Sequence, residues 1–479
     1  MTALFLAFKR IYLKFSQLPD KFAGLFPLIY HNERVTMTFY KKFLFIFFTC
    51  FSLFNFTLIK SSSAQDLQQE VLKIQEELEN IRGEKFKHPI KVEKQSLTDF
   101  GKYIDKQMSD QYPEIYLKNY GKIVKKLGLY TGPEITNYKE LAKMVVQSQA
   151  AAYYDPATKT FYVVMQNLPD MAKKTVYAHE LYHGFQDQYF DLQQYYLSQT
   201  KGKLNDDELL ARQAVVEGEA TYVMTLWSLK HMMGKIPDAA FLDMSIKMQA
   251  NLDVKQLLNM VKSGAVPQAQ LGDMGNAVKA MNKIPPFMLE TMVGAYLKGL
   301  YFINDIHKNG WAKVAELYRI PPASSEQILH SEKWLQHENP ARIRWQNFRK
   351  NKLFADWTLL EKNTVGEFQW RIIFSEFKMQ EDGLQAAAGW NGDRFAVLQN
   401  KHNPEDLLLL LYTTWDSEKD AQEFTQSYNK LLNVKYPAHE ETIIVKKINK
   451  DVLIVEGGKQ ADSQQYLHFI QHAIKSKHQ

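Results

Sequence analysis

The chain has 479 residues, of which 45% are hydrophobic and 23% charged, and its formal net charge is +6. This composition is typical of an ordinary globular protein and excludes a disordered, collagen-like or coiled-coil chain. The length suffices for about two or three domains with buried cores.

The basic excess lies entirely in the first part of the chain. Residues 1–64 hold eight basic and two acidic side chains, so the remainder is neutral and gives no electrostatic reason to expect nucleic-acid binding. Within residues 37–64, a short basic start is followed by an apolar, uncharged run and then by Ser62 and Ala64, which are small residues of the kind that precede a cleavage site. We therefore predict a signal peptide here, and export to the periplasm, the cell envelope or the extracellular space.

The leader allows two further interpretations. Its apolar run is about 17 residues long, near the lower limit for crossing a membrane, so a transmembrane anchor is the alternative to a cleaved signal. Residues 1–36 precede a complete signal, which makes Met37 a candidate start of the protein. The only cysteine, Cys50, lies in the apolar run, and the aromatic Phe47 does not suit a lipid-anchoring motif. The mature chain is expected to have no stable membrane span and no cysteine for disulfides or zinc binding.

Apolar side chains at three- and four-residue spacing predict a mainly helical region after the leader. Helices are expected at residues 66–82, 96–108, 114–127, 171–196, 206–233 and 287–309, with short helices between 234 and 284. Residues 88–94 alternate like a strand, and residues 150–165 have the pattern of a β-hairpin around a turn at Asp155 and Pro156.

From about residue 346 the chain becomes richer in predicted strands. Strands are expected at 394–399 and 407–414, a hairpin at 442–456, and helices at 368–377, 416–432 and 463–475. This order indicates an α+β fold. We predict a leader at residues 1–64, a mainly helical domain with a small β-sheet at 65–345, and a C-terminal α+β accessory domain at 346–479.

His179, Glu180 and His183 form a His-Glu-x-x-His sequence inside the helix predicted at 171–196. At about 100° per residue the two histidines project about 40° apart, one turn from each other, so both imidazoles can bind one Zn²⁺. Glu180 projects to the side, toward the water that such a metal activates, and is the candidate general base. The alternative is a pair of helix histidines beside a solvated glutamate.

Zinc requires a third protein ligand, and the next predicted helix carries Glu217 and Glu219. These two residues are about 200° apart around a helix, so only one of them can face a metal held by the histidines. The alternative is that both belong to a solvated acidic turn.

The sequence His179-Glu180-x-x-His183, followed by Glu217-Gly218-x-Ala220, resembles the gluzincin group of zinc peptidases. The resemblance implies a zincin-like catalytic domain in which Glu217 is the third zinc ligand. Tyr296-Leu-Lys298-Gly299 is similar to the Tyr-x-Lys-Gly motif of gluzincin aminopeptidases. That likeness implies that the hydroxyl of Tyr296 stabilises the oxyanion; the alternative is a core tyrosine.

The chain departs from the gluzincin pattern in two respects. The interval from His183 to Glu217 is longer than in thermolysin or the aminopeptidases, and residues 198–207 account for it as a loop. No Gly-x-Met-x-Asn exopeptidase sequence precedes the His-Glu-x-x-His sequence, so aminopeptidase specificity is not implied. The chain also resembles a group of exported bacterial metallopeptidases. The shared motifs are Tyr154-Asp155-Pro156, Gln186-Asp187-Gln188, Pro321 to His330 and Gly389 to Arg394.

Other polar residues have secondary roles in this interpretation. Gln186 and Asp187 lie near the ligand face, so either can orient a ligand imidazole, and Asp187 is an alternative metal ligand. The hairpin at 150–165 can bind an extended substrate along its edge, as in zincins. His330 is expected to be structural. Gly389 to Arg394 is expected to be a tight structural turn with an Asp–Arg contact.

The sequence thus predicts an exported zinc metallopeptidase with one Zn²⁺ per chain and a peptide or protein substrate. In this hypothesis His179, His183 and Glu217 bind the metal, while Glu180 and Tyr296 are catalytic. One alternative is hydrolysis of a non-peptide amide or ester. The other is a zincin-like scaffold that acts as a binding or envelope-assembly module.

Overall fold

The computed structural model describes residues 64–111, 114–147, 151–164, 168–196, 204–251, 284–438 and 441–477. The signal peptide predicted at residues 37–64 lies outside these ranges except for its last residue. Residues 252–283, for which short helices are predicted, also lie outside them. Within the described ranges, no helix is both long and apolar enough to cross a membrane.

The described chain before residue 340 is mainly helical. The helices are α1 (Ala64–Arg82), α2 (Leu97–Gln111), α3 (Glu114–Leu127), α4 (Tyr138–Gln147), α5 (Asp170–Phe190), α6 (Leu192–Tyr196), α7 (Asp206–Met233), α8 (Ala239–Ala250), α9 (Pro286–His307), α10 (Trp311–Arg319), α11 (Ser325–Leu329) and α12 (Ser331–Leu335). The long amphipathic helices are confirmed to within a few residues. Helices α4 and α10 to α12 are additional, because elements this short contain too few turns to show a clear period.

A small sheet lies next to α5. It contains β1 (Lys91–Lys94), β2 (Ala152–Asp155) and β3 (Thr160–Val163) in the order β1-β3-β2, with β1 parallel and β2 antiparallel to β3. The predicted hairpin is therefore confirmed. Its turn is closed by the Asp155 carboxylate, which accepts from the backbone N–H of Ala157 (3.1 Å) and the hydroxyl of Thr158 (2.8 Å). The order of the sheet leaves β2 at an edge.

The single helix predicted at 171–196 is wrong, because the chain breaks after Phe190. Asp191 adopts a left-handed conformation with φ of 50°, which Asp tolerates better than most residues, and α6 then starts in a new direction. The carboxylate of Asp187 accepts from the backbone N–H of Leu192 at 3.0 Å and so holds the start of α6.

The C-terminal region is built around a five-stranded antiparallel sheet. Its elements are β4 (Ala341–Arg344), β5 (Trp357–Asn363), α13 (Gly366–Glu376), α14 (Gln380–Ala387), β6 (Trp390–Asn400), β7 (Leu407–Trp415), α15 (Glu418–Lys435), β8 (Ile443–Ile448), β9 (Asp451–Glu456), α16 (Ser463–Gln471) and β10 (Ile474–Lys477). The five strands are in the order β5-β6-β7-β9-β8, and β4 pairs separately with β10. The described chain therefore has an α+β fold, as the sequence predicts.

Both faces of the five-stranded sheet are apolar. Along β7, Leu409 and Leu411 face one core while Leu408 and Leu410 face the other, which explains why this strand is a continuous apolar run. Helix α3 contributes Ile123, Val124 and Leu127 to the first of these cores. The described residues fall within one compact unit. The domain boundary predicted near residue 345 stays a prediction.

Two predictions for the C-terminal region are corrected. The helix expected at 463–475 ends at Gln471, because the residues after it pair with the distant strand β4. The sequence from Gly389 to Arg394 is structural as expected, but it starts β6 instead of forming an Asp–Arg turn. The buried carboxylate of Asp393 accepts from the backbone N–H groups of Val365 (2.7 Å) and Gly366 (3.0 Å) and from two tryptophan side chains.

Helices α7 and α9 approach each other closely at two glycines. Gly218 belongs to the Glu-Gly-x-Ala sequence and Gly299 to the Tyr-x-Lys-Gly sequence, and each leaves room for the backbone of the opposite helix. A Cβ atom at Gly218 would overlap the backbone of Gly299, and one at Gly299 would overlap the carbonyl oxygen of Ala214. The two motifs thus share one helix crossing.

Substitution of Gly299 by Ala is expected to destabilise the protein by about 1–3 kcal/mol, because the added methyl group overlaps backbone atoms that cannot rotate away. This should outweigh the helix propensity of alanine, which alone favours the variant by about 1 kcal/mol. Urea denaturation of Gly299→Ala, beside the exposed-site control Gln422→Ala, measures the effect. An unfolding free energy equal to or above that of the parent would contradict the tight crossing.

Candidate metal centre

Helix α5 brings His179 and His183 together at one point on its surface. The two imidazoles lie one turn apart and almost perpendicular, with ring centroids separated by 4.7 Å and Nε2 atoms by 3.1 Å. Nearly every side chain from Tyr177 to Asp187 is buried, so this part of α5 is enclosed on all sides. The pairing expected from the His-Glu-x-x-His spacing is therefore present.

Helix α7 adds a carboxylate to the pair. A capping box between Asn205 and Glu208 starts this helix. Further along, Glu217 places its Oε2 atom 3.2 Å from Nε2 of His179 and 3.4 Å from Nε2 of His183. The three side chains are only 8%, 11% and 16% exposed. They form a group of three donor atoms with the spacing that a metal ion requires.

The donor set fits zinc in its chemistry and in its size. Two imidazole nitrogens and one carboxylate oxygen are ligands of catalytic zinc sites, and tetrahedral coordination at about 2.0–2.1 Å separates ligand atoms by about 3.3 Å. The observed separations are 3.1, 3.2 and 3.4 Å. Three lone-pair donors at these distances repel one another unless a proton or a cation lies between them.

The pKa shifts of His183 and Glu217 also favour positive charge beside the carboxylate. Burial lowers the pKa of His183, but the charge of Glu217 outweighs it and raises the pKa to about 9. Burial would raise the pKa of Glu217, yet the charges and hydrogen bonds of His183 and His179 hold it well below its usual range. The cluster therefore favours a carboxylate surrounded by positive charge.

Glu219 does not join the cluster. It lies on the opposite side of α7, fully buried, where its carboxylate accepts from the hydroxyls of Tyr182 (2.8 Å) and Tyr318 (2.5 Å). The expectation that only one of Glu217 and Glu219 can face the histidines is met, and that residue is Glu217.

Glu180 lies beside the cluster and contacts the edge of the small sheet. Its Oε2 atom accepts a hydrogen bond of 3.1 Å from the backbone N–H of Tyr154 in β2. Burial raises the pKa of Glu180, although the two imidazoles and this N–H oppose the shift. The side of β2 that does not pair with β3 therefore faces Glu180, the residue expected to be the base.

Tyr296 of α9 also reaches the cluster. Its ring stacks on His179 with centroids 5.6 Å apart and planes 22° apart. Burial, the nearby charges of Glu217 and Glu180, and a hydrogen bond to Glu217 raise the pKa of the phenol well above its usual value. The hydroxyl therefore stays protonated and able to donate at neutral pH.

A second tyrosine near the cluster, Tyr196, is not among the site residues predicted from the sequence. Tyr196 ends α6, and burial together with the charge of Glu217 raises its pKa well above the usual value. The left-handed residue Asp191 ends α5 and separates it from α6, so Tyr196 does not continue the helix of His179 and His183. The one sequence signal is that Asp191 is a residue type that tolerates such a conformation.

Gln186 and Asp187 both follow His183 on α5 but contact different partners, which their spacing from the histidines does not predict. The Oε1 atom of Gln186 accepts a hydrogen bond from Nδ1 of His183 at 2.8 Å, so Gln186 contacts one of the candidate ligand imidazoles. Asp187 instead accepts from the hydroxyl of Tyr154 and the ammonium of Lys159, both at 2.8 Å. The alternative of Asp187 as a metal ligand is therefore wrong.

His330 lies away from the cluster, as a structural residue would. Its Nε2 atom is 3.1 Å from the buried carboxylate of Glu367, which also binds Arg371. Gln188 is structural as well, since its side chain accepts from the backbone N–H groups of Lys87 (2.7 Å) and His88 (3.1 Å).

Comparison with known families identifies part of the C-terminal region. A family model described as a domain of unknown function (DUF8575) matches residues 357–466, which extend from β5 into α16. Comparisons with curated proteins and with solved structures return no match. The matched range does not include His179, His183 or Glu217, so it bears on the C-terminal region and not on the cluster.

Replacement of Asp187 by Asn is expected to lower the unfolding free energy by about 1–3 kcal/mol, because buried hydrogen bonds to a charged acceptor are weakened. Metal content should be unchanged, since Asp187 faces the hairpin. Urea denaturation and elemental analysis of the folded variant check both points. A folded Asp187→Asn protein that has lost its bound metal would show that this residue belongs to the metal centre.

Proposed function

We propose that this protein is an exported zinc-dependent metallopeptidase that hydrolyses peptide bonds. The observation that carries the proposal is the convergence of the Nε2 atoms of His179 and His183 and the Oε2 atom of Glu217 at separations of 3.1–3.4 Å. Glu180 beside this group and the predicted signal peptide support the hydrolytic and the exported parts of the proposal.

In this proposal each residue of the site has one task. Zinc, when bound, supplies a Lewis acid that polarises the scissile carbonyl and acidifies a water molecule. His179, His183 and Glu217 hold it. Glu180 accepts the proton of the attacking water and passes it to the leaving amine, a role that its raised pKa assists. The protonated hydroxyl of Tyr296 donates to the oxyanion as negative charge develops.

The position of β2 favours a peptide over a small amide or ester as the substrate. This strand lies at the edge of its sheet, and the backbone N–H of Tyr154 points out of the sheet toward Glu180. An extended peptide can pair with such an edge through its backbone, which places a peptide bond next to the base. A small ester would gain nothing from this pairing.

Elemental analysis of the purified protein is expected to find one zinc per chain, lost in His179→Ala and retained in His330→Ala. Chelation should lower the Tm of the parent and of His330→Ala, because bound metal stabilises the folded state by about 4 kcal/mol when free zinc is 1,000-fold above its Kd. The Tm of His179→Ala should not respond to chelator. A parent protein without metal would overturn the proposal.

Cleavage of a peptide library is expected to disappear in Glu180→Gln and to fall about 10²–10³-fold in Tyr296→Phe, because the first loses the base and the second an oxyanion donor. Both variants should keep their zinc, which separates loss of catalysis from loss of the metal. A Glu180→Gln protein as active as its parent would exclude the proposed base. Zinc binding without any cleavage by the parent would favour the binding-module alternative.

A further inference from the structure

Behind the metal ligands, a chain of buried polar groups runs from His183 to the first helix of the described structure. Its first member is Gln186, which has no exposed surface. The Oε1 atom of Gln186 lies 2.8 Å from Nδ1 of His183. Its Nε2 group donates to the carbonyl of Val216 (2.9 Å), the carboxylate of Glu219 (3.1 Å) and the hydroxyl of Tyr318 (2.8 Å).

These contacts determine the orientation of the Gln186 amide. A rotated amide would place its oxygen against the carbonyl of Val216 and the carboxylate of Glu219, which are both acceptors. The oxygen must therefore face His183, and the Nδ1 atom of that imidazole must carry the proton. Its Nε2 atom is then directed at His179 and Glu217.

The next member, Glu219, has no exposed surface and receives donors on both oxygens. Tyr318 donates to Oε2 at 2.5 Å while it accepts from Gln186, and Tyr182 donates to Oε1 at 2.8 Å. Tyr182 in turn accepts from Nε of Arg82 at 3.1 Å. Every hydrogen bond between these buried polar groups therefore has a defined donor and acceptor.

Arg82 supplies the counter-charge at the far end. Its guanidinium is 3.7 Å from Glu219, and its side chain is only 3% exposed. It lies 4.4 Å from the centre of the Trp311 ring and pairs with Glu84 at 3.1 Å. A buried carboxylate such as Glu219 requires a partner of this kind, because an unpaired charge in the interior is strongly destabilising.

We infer that Glu219 and Arg82 act through Gln186 to position the metal ligand His183. Because Arg82 is the last residue of α1, this helix then contributes to the metal centre. The inference rests on the proposed function. All three are positioning residues, since none of them reaches the reacting atoms. The inference gives a role to the second acidic residue of Glu217-Gly218-Glu219 and to the side chain of Gln186.

Zinc affinity tests the inference by competition with a chromophoric chelator. Gln186→Leu is expected to weaken zinc binding by about 10–100-fold, because groups that orient a ligand histidine contribute that much to metal affinity. Tyr318→Phe and Arg82→Met should weaken it in the same direction, by about tenfold. If Gln186→Leu does not fold, Tyr318→Phe carries the test, since it removes only one hydroxyl.

Gln327→Leu is the matched control. Gln327 is equally buried and hydrogen-bonded, to Ala323, Glu338 and Asn339, but it lies outside the polar chain. The control should lose stability without losing zinc affinity. Equal zinc affinity in Gln186→Leu, Tyr318→Phe and the parent would reduce the polar chain to a structural network and overturn the inference.

A second readout does not need zinc. In protein with ¹⁵N-labelled histidine, the Nδ1–H proton of His183 should be protected from solvent exchange by Gln186 and identified by its absence in His183→Ala. It should disappear in Gln186→Leu and persist in Gln327→Leu; persistence in Gln186→Leu would overturn the inference. If the parent binds no zinc, the proposed function fails, and this signal alone decides whether His183 is positioned as inferred.

Discussion

Two carboxylates on opposite sides of one buried helix are the constraint on which the rest of this structure depends. Glu219 of α7 has no exposed surface and the side chain of Glu217 is only 16% exposed, so the charge of each must be compensated where it lies. On one side the compensation comes from His179 and His183, and on the other from Tyr182, Tyr318 and Arg82. Helices α1, α5 and α10 are therefore held against α7 by charge as well as by apolar contact. A change on either side should reach the other through Gln186, which touches both.

The close crossing of α7 and α9 determines what else can approach the cluster. Because Gly218 and Gly299 have no side chains, the two helices lie close enough for Tyr296 to stack on His179. Each glycine belongs to one of the two motifs by which the sequence resembles gluzincins. The motifs are far apart in the chain, yet their glycines meet at one helix crossing.

Local spacing was sufficient to predict the parts of the site that depend on one helix. The distance between His179 and His183, and the opposite directions of Glu217 and Glu219, follow from about 100° per residue. Features that depend on the path of the chain could not be predicted in this way. The left-handed residue Asp191 ends α5 before Tyr196, and the direction of Asp187 depends on where the hairpin packs. The same holds for β10, whose partner strand is more than 100 residues earlier in the chain.

The C-terminal region contacts the beginning of α7, the helix that carries Glu217. The backbone N–H of Asp206 donates to Asn363 at 2.9 Å, and the carboxylate of Glu208 pairs with Arg342 at 3.1 Å. A side chain on Gly366 would collide with Asp207, so the start of α13 packs directly on this end of the helix. Helix α7 is thus anchored at its first turn by the region that includes the match to a domain of unknown function, about three turns before Glu217. Because a helix transmits the position of its first turn along its length, this region can influence the position of Glu217 from the start of α7.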